Sequence, residues 1–169
     1  HHAFPDHGEG FCAINDIAVA IRVMQQRGLI RKALVVDCDV HQGNGTAAIF
    51  AGAPDVFTIS IHQENNYPAE KPPSRVDIGL PDGTGDQEYM NRLLGPVHAA
   101  LNGFHPDICF YISGADPYCH DQLGGICLTK EGLLARDQFV FESSMLARVP
   151  VAVTLAGGYA VDISDTVEI

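Results

Sequence analysis

The chain has 169 residues, 46% of them apolar, and a formal net charge of −11 from 10 Lys+Arg against 21 Asp+Glu. That length suits one domain with a real core, and no apolar run is long enough to span a membrane. The acidic excess, with no basic stripe to offset it, argues against direct nucleic-acid binding and favours a cationic substrate over an anionic one.

In chain order, residues 13–27 place Ile14, Ile17, Ala18, Ile21 and Met24 on one helical face, and Gly28 can end that helix. The run "ALVVD" (33–37) reads as a strand, and a short helix follows at about 46–51. A second strand, "VFTISI" (56–61), leads into residues 62–85, which hold four prolines and at most one short strand. A loop of that length in a compact domain is either a pocket wall or a plain surface loop, and composition fits both equally. Residues 86–103 carry Tyr89, Leu93, Leu94, Val97 and Leu101 on one stripe, with Pro96 placed to kink or divide the helix. A third strand, "DICFYI" (107–112), precedes a helix over 130–147. That helix is capped by Thr129 and carries Leu133, Leu134, Phe139, Val140 and Met145. "VAVTL" (151–155) is the fourth strand. None of these strands alternates polar and apolar residues throughout, as expected of strands covered on both faces. The fold class is therefore α/β, layered around a mainly parallel sheet.

Ligands of open parallel sheets bind beyond the carboxyl ends of the strands. Here the first strand runs into Asp37, Asp39 and His41, and the second into Ser60 and His62. The third runs into "SGAD", ending at Asp116, and the fourth into "AGGY", ending at Tyr159. Asp39, His41 and Asp116 would give three oxygen and nitrogen ligands with a position left for water, the pattern of a catalytic metal site. Taken singly, the same residues also fit a polar turn, a cap, a core tyrosine and a strand serine. The five cysteines (Cys12, Cys38, Cys109, Cys119, Cys127) are odd in number, mostly in apolar runs and without a C-x-x-C pair. They read as reduced thiols of a cytoplasmic protein, and no charged-then-apolar leader opens the sequence.

Four blocks in order, "HHAFPDHGEGFCAINDIA" (1–18), "VDCDVHQGNGT" (36–46), "SGADPYCHDQLGG" (113–125) and "LAGGY" (155–159), resemble the signature blocks of the histone deacetylase family. The Gln of "HQGNG" and the "LGG" turn look most like its class IV and bacterial members. The resemblance implies the three-layer α/β/α arginase/deacetylase fold. It also implies that residues 1–169 form one catalytic domain, truncated at both ends relative to the family. It implies Zn²⁺ (or Fe²⁺ or Co²⁺) on Asp39, His41 and Asp116. His1 and His2 match the tandem catalytic histidines, supported by Asp37 and Asn44, and Tyr159 matches the tyrosine that contacts the substrate carbonyl. Asp37, Asp39, His41, Ser60 and Ile61 would surround K⁺, with Phe50 and Val56 lining a second such site. Gly10, Phe11, Tyr67, Leu123 and Gly157 match substrate-binding positions.

The implied reaction is hydrolysis of acetyl-lysine in a peptide or protein, releasing acetate and the free amine. Deacetylation of acetylpolyamines or other small acylated amines is the nearest alternative. A metal-stabilised acetyl-lysine-binding or scaffold protein is the non-enzyme alternative; it would have no need of Tyr159 and both histidines. Where class I members support the second histidine with an aspartate, this sequence has Asn44, which implies a lower pKa for His2.

Overall fold

The computed structural model describes all 169 residues. Five strands form one all-parallel sheet: β1 (Ala33–Asp37), β2 (Val56–Gln63), β3 (Val76–Leu80), β4 (Ile108–Ser113) and β5 (Val151–Leu155), in the spatial order β3-β2-β1-β4-β5. The four expected strands are present, and the proline-rich segment supplies β3 as a fifth. β1 pairs with β2 on one side (Asp37 opposite Ser60) and with β4 on the other (Asp37 opposite Ile112). The chain steps outward from β1 to β3, then returns to the far side of β1, so the order reverses between β1 and β4. A crevice opens at such a reversal, beyond the carboxyl ends of the two strands.

Alternate residues of β1 point to opposite faces. Leu34 and Val36 join one buried cluster with Tyr89, Leu93, Val97, Leu133 and Val140. Ala33 and Val35 join the other with Ile17, Ala18 and Ile21. The helices α1 (Asp16–Gln26), α2 (Asn44–Ile49), α3 (Asp86–Ala99), α4 (Lys130–Leu146) and α5 (Ile163–Glu168) complete the chain. α3 and α4 cover one face of the sheet and α1 the other, giving three layers.

The helix ends follow from side-chain chemistry. The Asn15 side chain accepts the Ala18 N–H and the Thr129 hydroxyl accepts the Gly132 N–H, each satisfying an orphan donor of a first turn. Gly28 follows α1 at φ +69°, as a C-terminal glycine should.

Several expectations need correction. α3 is not divided at Pro96; it continues to Ala99 and passes into a π-helical turn at Ala100–Phe104. Ile14 precedes α1 and is exposed, as are Leu134 and Met145 on α4, so the buried stripes are narrower than the apolar positions suggest. The five cysteines are not all thiols, because Cys119 and Cys127 form a disulfide. A parallel bridge between Tyr118 and Leu128 brings the pair together, with the Cys119 N–H donating to the Leu128 carbonyl at 2.9 Å. No helix is long and apolar enough to cross a membrane.

Candidate metal centre

The loops leaving β1 and β4 meet at the order reversal. One ligand atom from each of Asp39, His41 and Asp116 lies within 4.8 Å of the others, and both carboxylates are buried. His41 Nδ1 stands 3.0 Å from Asp39 Oδ1 and 3.3 Å from Asp116 Oδ2. The Asp116 Oδ1 accepts the Val40 N–H at 2.8 Å, and the Asp39 Oδ2 accepts the Gly157 N–H at 2.8 Å. The Asp116 Oδ2 is buried with no hydrogen-bond partner. An acceptor without a donor at that depth is costly, and a cation coordinated there removes the cost. The donor set, two carboxylates and an imidazole, suits a borderline divalent ion. The residues present therefore fit a metal.

The electrostatics agree. Burial, and then the charge on Asp39, push the Asp116 carboxyl up to about 7. Burial also works against ionisation of Asp39, but His1 and the hydrogen bonds from His41 outweigh it and hold that carboxyl below the usual range. Burial likewise disfavours a charged His41; the nearby carboxylates of Asp116 and Asp39 win and raise it to about 9.

Around this centre sit the two histidines. His1 Nδ1 is 2.6 Å from Asp37 Oδ2, and His2 Nδ1 is 2.7 Å from Asn44 Oδ1. Burial opposes charge on His1, yet Asp37 and Asp39 outweigh it and lift the imidazole to about 10. For His2, burial and the neighbouring His1 act together and lower it to about 4. Adjacent histidines are thereby split, His1 favouring the protonated form and His2 the neutral one. The alternation Asp37, Asp39, His41 is thus divided: Asp37 holds His1, while the other two join Asp116.

A cavity of about 850 Å³ opens over the centre, lined among others by His1, His2, Asp39, His41, Asp116 and Tyr159. Gly10, Phe11, Tyr67, Leu123 and Gly157 line it as well. Two glycines are dictated by contact. A Cβ at Gly157 would collide with the Asp116 carboxylate, and Gly10, at φ +51°, lies against the His2 ring. Tyr67 meets the His2 ring edge-on at 5.0 Å, and Phe11 faces Tyr159 at 6.4 Å. The long proline-rich loop is therefore a pocket wall, pinned where Asn66 Nδ2 donates to the Leu123 carbonyl at 2.8 Å.

Other residues are placed differently. His62 is buried away from the cavity, with Nδ1 3.0 Å from the Ser60 hydroxyl. Ile61 sits in the core face shared with Val36, and Phe50 and Val56 lie in the α1-side cluster.

Three residues that hold the candidate site together escape sequence reasoning. Arg136, buried in α4, donates through Nη1 to the carbonyls of Gly114 (2.7 Å) and Cys38 (3.4 Å), tying together the loops that carry the candidate metal ligands. Its signal was a lone arginine between Leu133 and Val140 on a buried helix face. Asp121 accepts the Tyr159 N–H at 2.6 Å and fixes that residue's backbone. Glu9 bonds both Tyr67 and Asn44. Nothing in the sequence near Asp121 or Glu9 marks them.

Comparison with known proteins follows the same lines. Residues 1–168 match the family model described as the histone deacetylase domain. An uncharacterized protein of Picosynechococcus sp. is 46% identical over 167 residues, taking in 99% of this chain and 56% of that protein. The crystal structure of the HDA15 HD domain superposes with a TM-score of 0.81 at 32% identity, covering 99% of this chain and 52% of the other. Acetylpolyamine aminohydrolase from Burkholderia pseudomallei gives a TM-score of 0.81 at 26% identity, with 98% of this chain and 50% of that one covered. The chain thus spans about half the length of the relatives it matches.

Proposed function

Because the chain belongs to the histone deacetylase family, we propose that its cavity hydrolyses the amide of an acetylated amine, with acetyl-lysine in a peptide or protein as the substrate. The observation that carries this reading is the convergence of Asp39, His41, Asp116, both histidines and Tyr159 on one cavity. Asp39, His41 and Asp116 would hold Zn²⁺, with Fe²⁺ or Co²⁺ as alternatives for the same donors. Such an ion supplies Lewis acidity toward the amide carbonyl and a lowered pKa for an attacking water.

The chain's own residues do the rest. Neutral His2 accepts a proton from the attacking water as the carbonyl carbon becomes tetrahedral, and a histidine then returns a proton to the leaving nitrogen. His1, held protonated against Asp37, keeps its positive charge beside the developing negative oxygen. The Tyr159 hydroxyl donates a hydrogen bond to that oxygen. Phe11 and Tyr67 offer apolar walls to an alkyl stem, leaving the substrate's polar parts at the rim.

We also assign a monovalent cation, K⁺, to Asp37, Asp39, His41, Ser60 and Ile61. The support is that Asp37 and Ser60 are buried partners in the β1–β2 register. Phe50 and Val56 are assigned to a second such ion. A small acetylated amine is the second reading for the substrate, favoured by the likeness to an acetylpolyamine aminohydrolase.

The direct test is turnover of a fluorogenic acetyl-lysine peptide by the full-length protein, before and after chelation and with Zn²⁺ restored. Activity should vanish on stripping and return with metal. Turnover that persists after the metal is demonstrably removed excludes the mechanism. Acetylspermidine run in parallel decides between the two substrate classes.

A pH prediction follows from Asn44. Burial and His1 hold His2 low, and the hydrogen bond to a neutral amide offsets them only in part, so the base stays unprotonated well below neutral pH. Asn44→Asp places a negative charge against Nδ1, favours the imidazolium and raises that pKa. Since the reaction needs the neutral form, the acid limb of the kcat/KM profile should move to higher pH by roughly one to two units. An unmoved limb would remove Asn44 from this role.

A further inference from the structure

Glu9 is fixed by a two-residue hairpin. Its N–H donates to the Cys12 carbonyl at 3.0 Å and its carbonyl accepts the Cys12 N–H at 2.8 Å. Gly10 and Phe11 form the turn at φ +51° and +66°, the positive pair that such tight hairpins demand. The carboxylate then divides its two oxygens. Oε1 receives the Tyr67 hydroxyl and the Asn44 Nδ2, the latter at 3.0 Å. Oε2 faces outward, 3.4 Å from His7 Nε2.

Taking His2 as the base of the proposed reaction, we propose that Glu9 is a positioning residue that sets the His2 tautomer through Asn44 and anchors Tyr67 in the cavity wall.

The argument is one of donors and acceptors. An ionised carboxylate can only accept, and the hydrogen bond from Tyr67 favours the ionised form of Glu9. Asn44 must therefore turn its NH₂ toward Glu9, which leaves its Oδ1 toward His2. The His2 Nδ1, 2.7 Å from that oxygen, must carry the proton. Neutral imidazole has one N–H, so Nε2 keeps its lone pair and is the nitrogen free to act as base. Without Glu9 the amide can rotate by half a turn and offer NH₂ to Nδ1. The proton then moves to Nε2 and the lone pair is lost. The same oxygen tethers the Tyr67 phenol, whose ring stands edge-on to His2 at 5.0 Å. One carboxylate oxygen thus couples a wall of the pocket to the protonation pattern of its base.

The test uses the full-length, metal-loaded protein with Glu9→Ala and Glu9→Gln, read by long-range ¹H–¹⁵N histidine spectra, metal content and steady-state kinetics. Wild type should show His2 protonated at Nδ1. Glu9→Ala should show mixed tautomers and a kcat reduced about 10- to 100-fold, the usual cost of losing an orienting partner, with metal content unchanged. Glu9→Gln keeps an oxygen at the Oε1 position and can turn its NH₂ toward His7, so it should restore both the tautomer and most of kcat. A Glu9→Ala protein with wild-type tautomer and kcat would overturn the proposal. So would a Glu9→Gln protein as impaired as Glu9→Ala, which would assign the effect to rim charge. If the parent protein fails to turn over acetylated amines, the proposed reaction falls, while the tautomer spectra still decide the role of Glu9.

Discussion

Replacing Tyr159 by phenylalanine is expected to lower kcat toward an acetylated lysine by about 10²–10³-fold, the usual loss for one donor aimed at a developing oxyanion. Metal content and thermal stability should stay at wild-type values. The reason for separating these effects is that Tyr159 is held by its backbone. Its N–H donates to Asp121 Oδ2 at 2.6 Å and its carbonyl accepts the Gln122 Nε2 at 3.0 Å. Losing the hydroxyl removes the donor without releasing the ring, which also faces Phe11. Single-turnover kinetics with metal analysis on the same sample make the check. A Tyr159→Phe enzyme with unchanged kcat would take the phenol out of the chemistry.

The second large effect is structural. Arg136→Met should destabilise the protein by about 3–5 kcal/mol, the typical loss when one partner of a buried charged network is removed. Two carbonyls, of Cys38 and Gly114, would lose their donor while staying buried. That is a large part of the roughly 5–15 kcal/mol that holds a domain folded. Metal affinity should fall with it, because the two carbonyls belong to the loops that carry Asp39 and Asp116. Arg136→Lys should not restore either property, since one ammonium cannot reproduce the forked geometry that reaches both carbonyls and Asp137. Urea midpoints and metal titrations measure the two losses. A wild-type midpoint in Arg136→Met would show that the loops need no such tie.

What the sequence makes legible is the part governed by short-range rules. Uninterrupted apolar runs announced the parallel strands, although the edge strand β5 is not buried like the others, with Leu155 95% exposed, and Asn15, Thr129 and Gly28 sit where helix ends require them. The candidate metal triad was readable because its three members follow strand ends, and parallel strands deliver their ends to one edge. Apolar spacing alone could not say which positions meet a neighbour, so Leu134 and Met145 were placed inside and are outside. The Cys119–Cys127 disulfide depends on a bridge between Tyr118 and Leu128 that is not written in either segment. Glu9 and Asp121 act on residues 35 or more positions away, Asn44 for the first and Tyr159 for the second, and no local pattern encodes such partners.

Gly157 carries a consequence for how this pocket can change over time. Any side chain there would collide with the Asp116 carboxylate, so the floor of the cavity has no mutational neighbours that keep the centre intact. The walls are the opposite case: Phe11 is 91% exposed, Leu123 45% and Tyr67 37%, and substitutions at such surface positions cost little stability. The mouth can therefore drift at Phe11 and Leu123 while the floor beneath it stays fixed. Tyr67 is the exception among the walls, because Glu9 ties it to Asn44 and through Asn44 to His2.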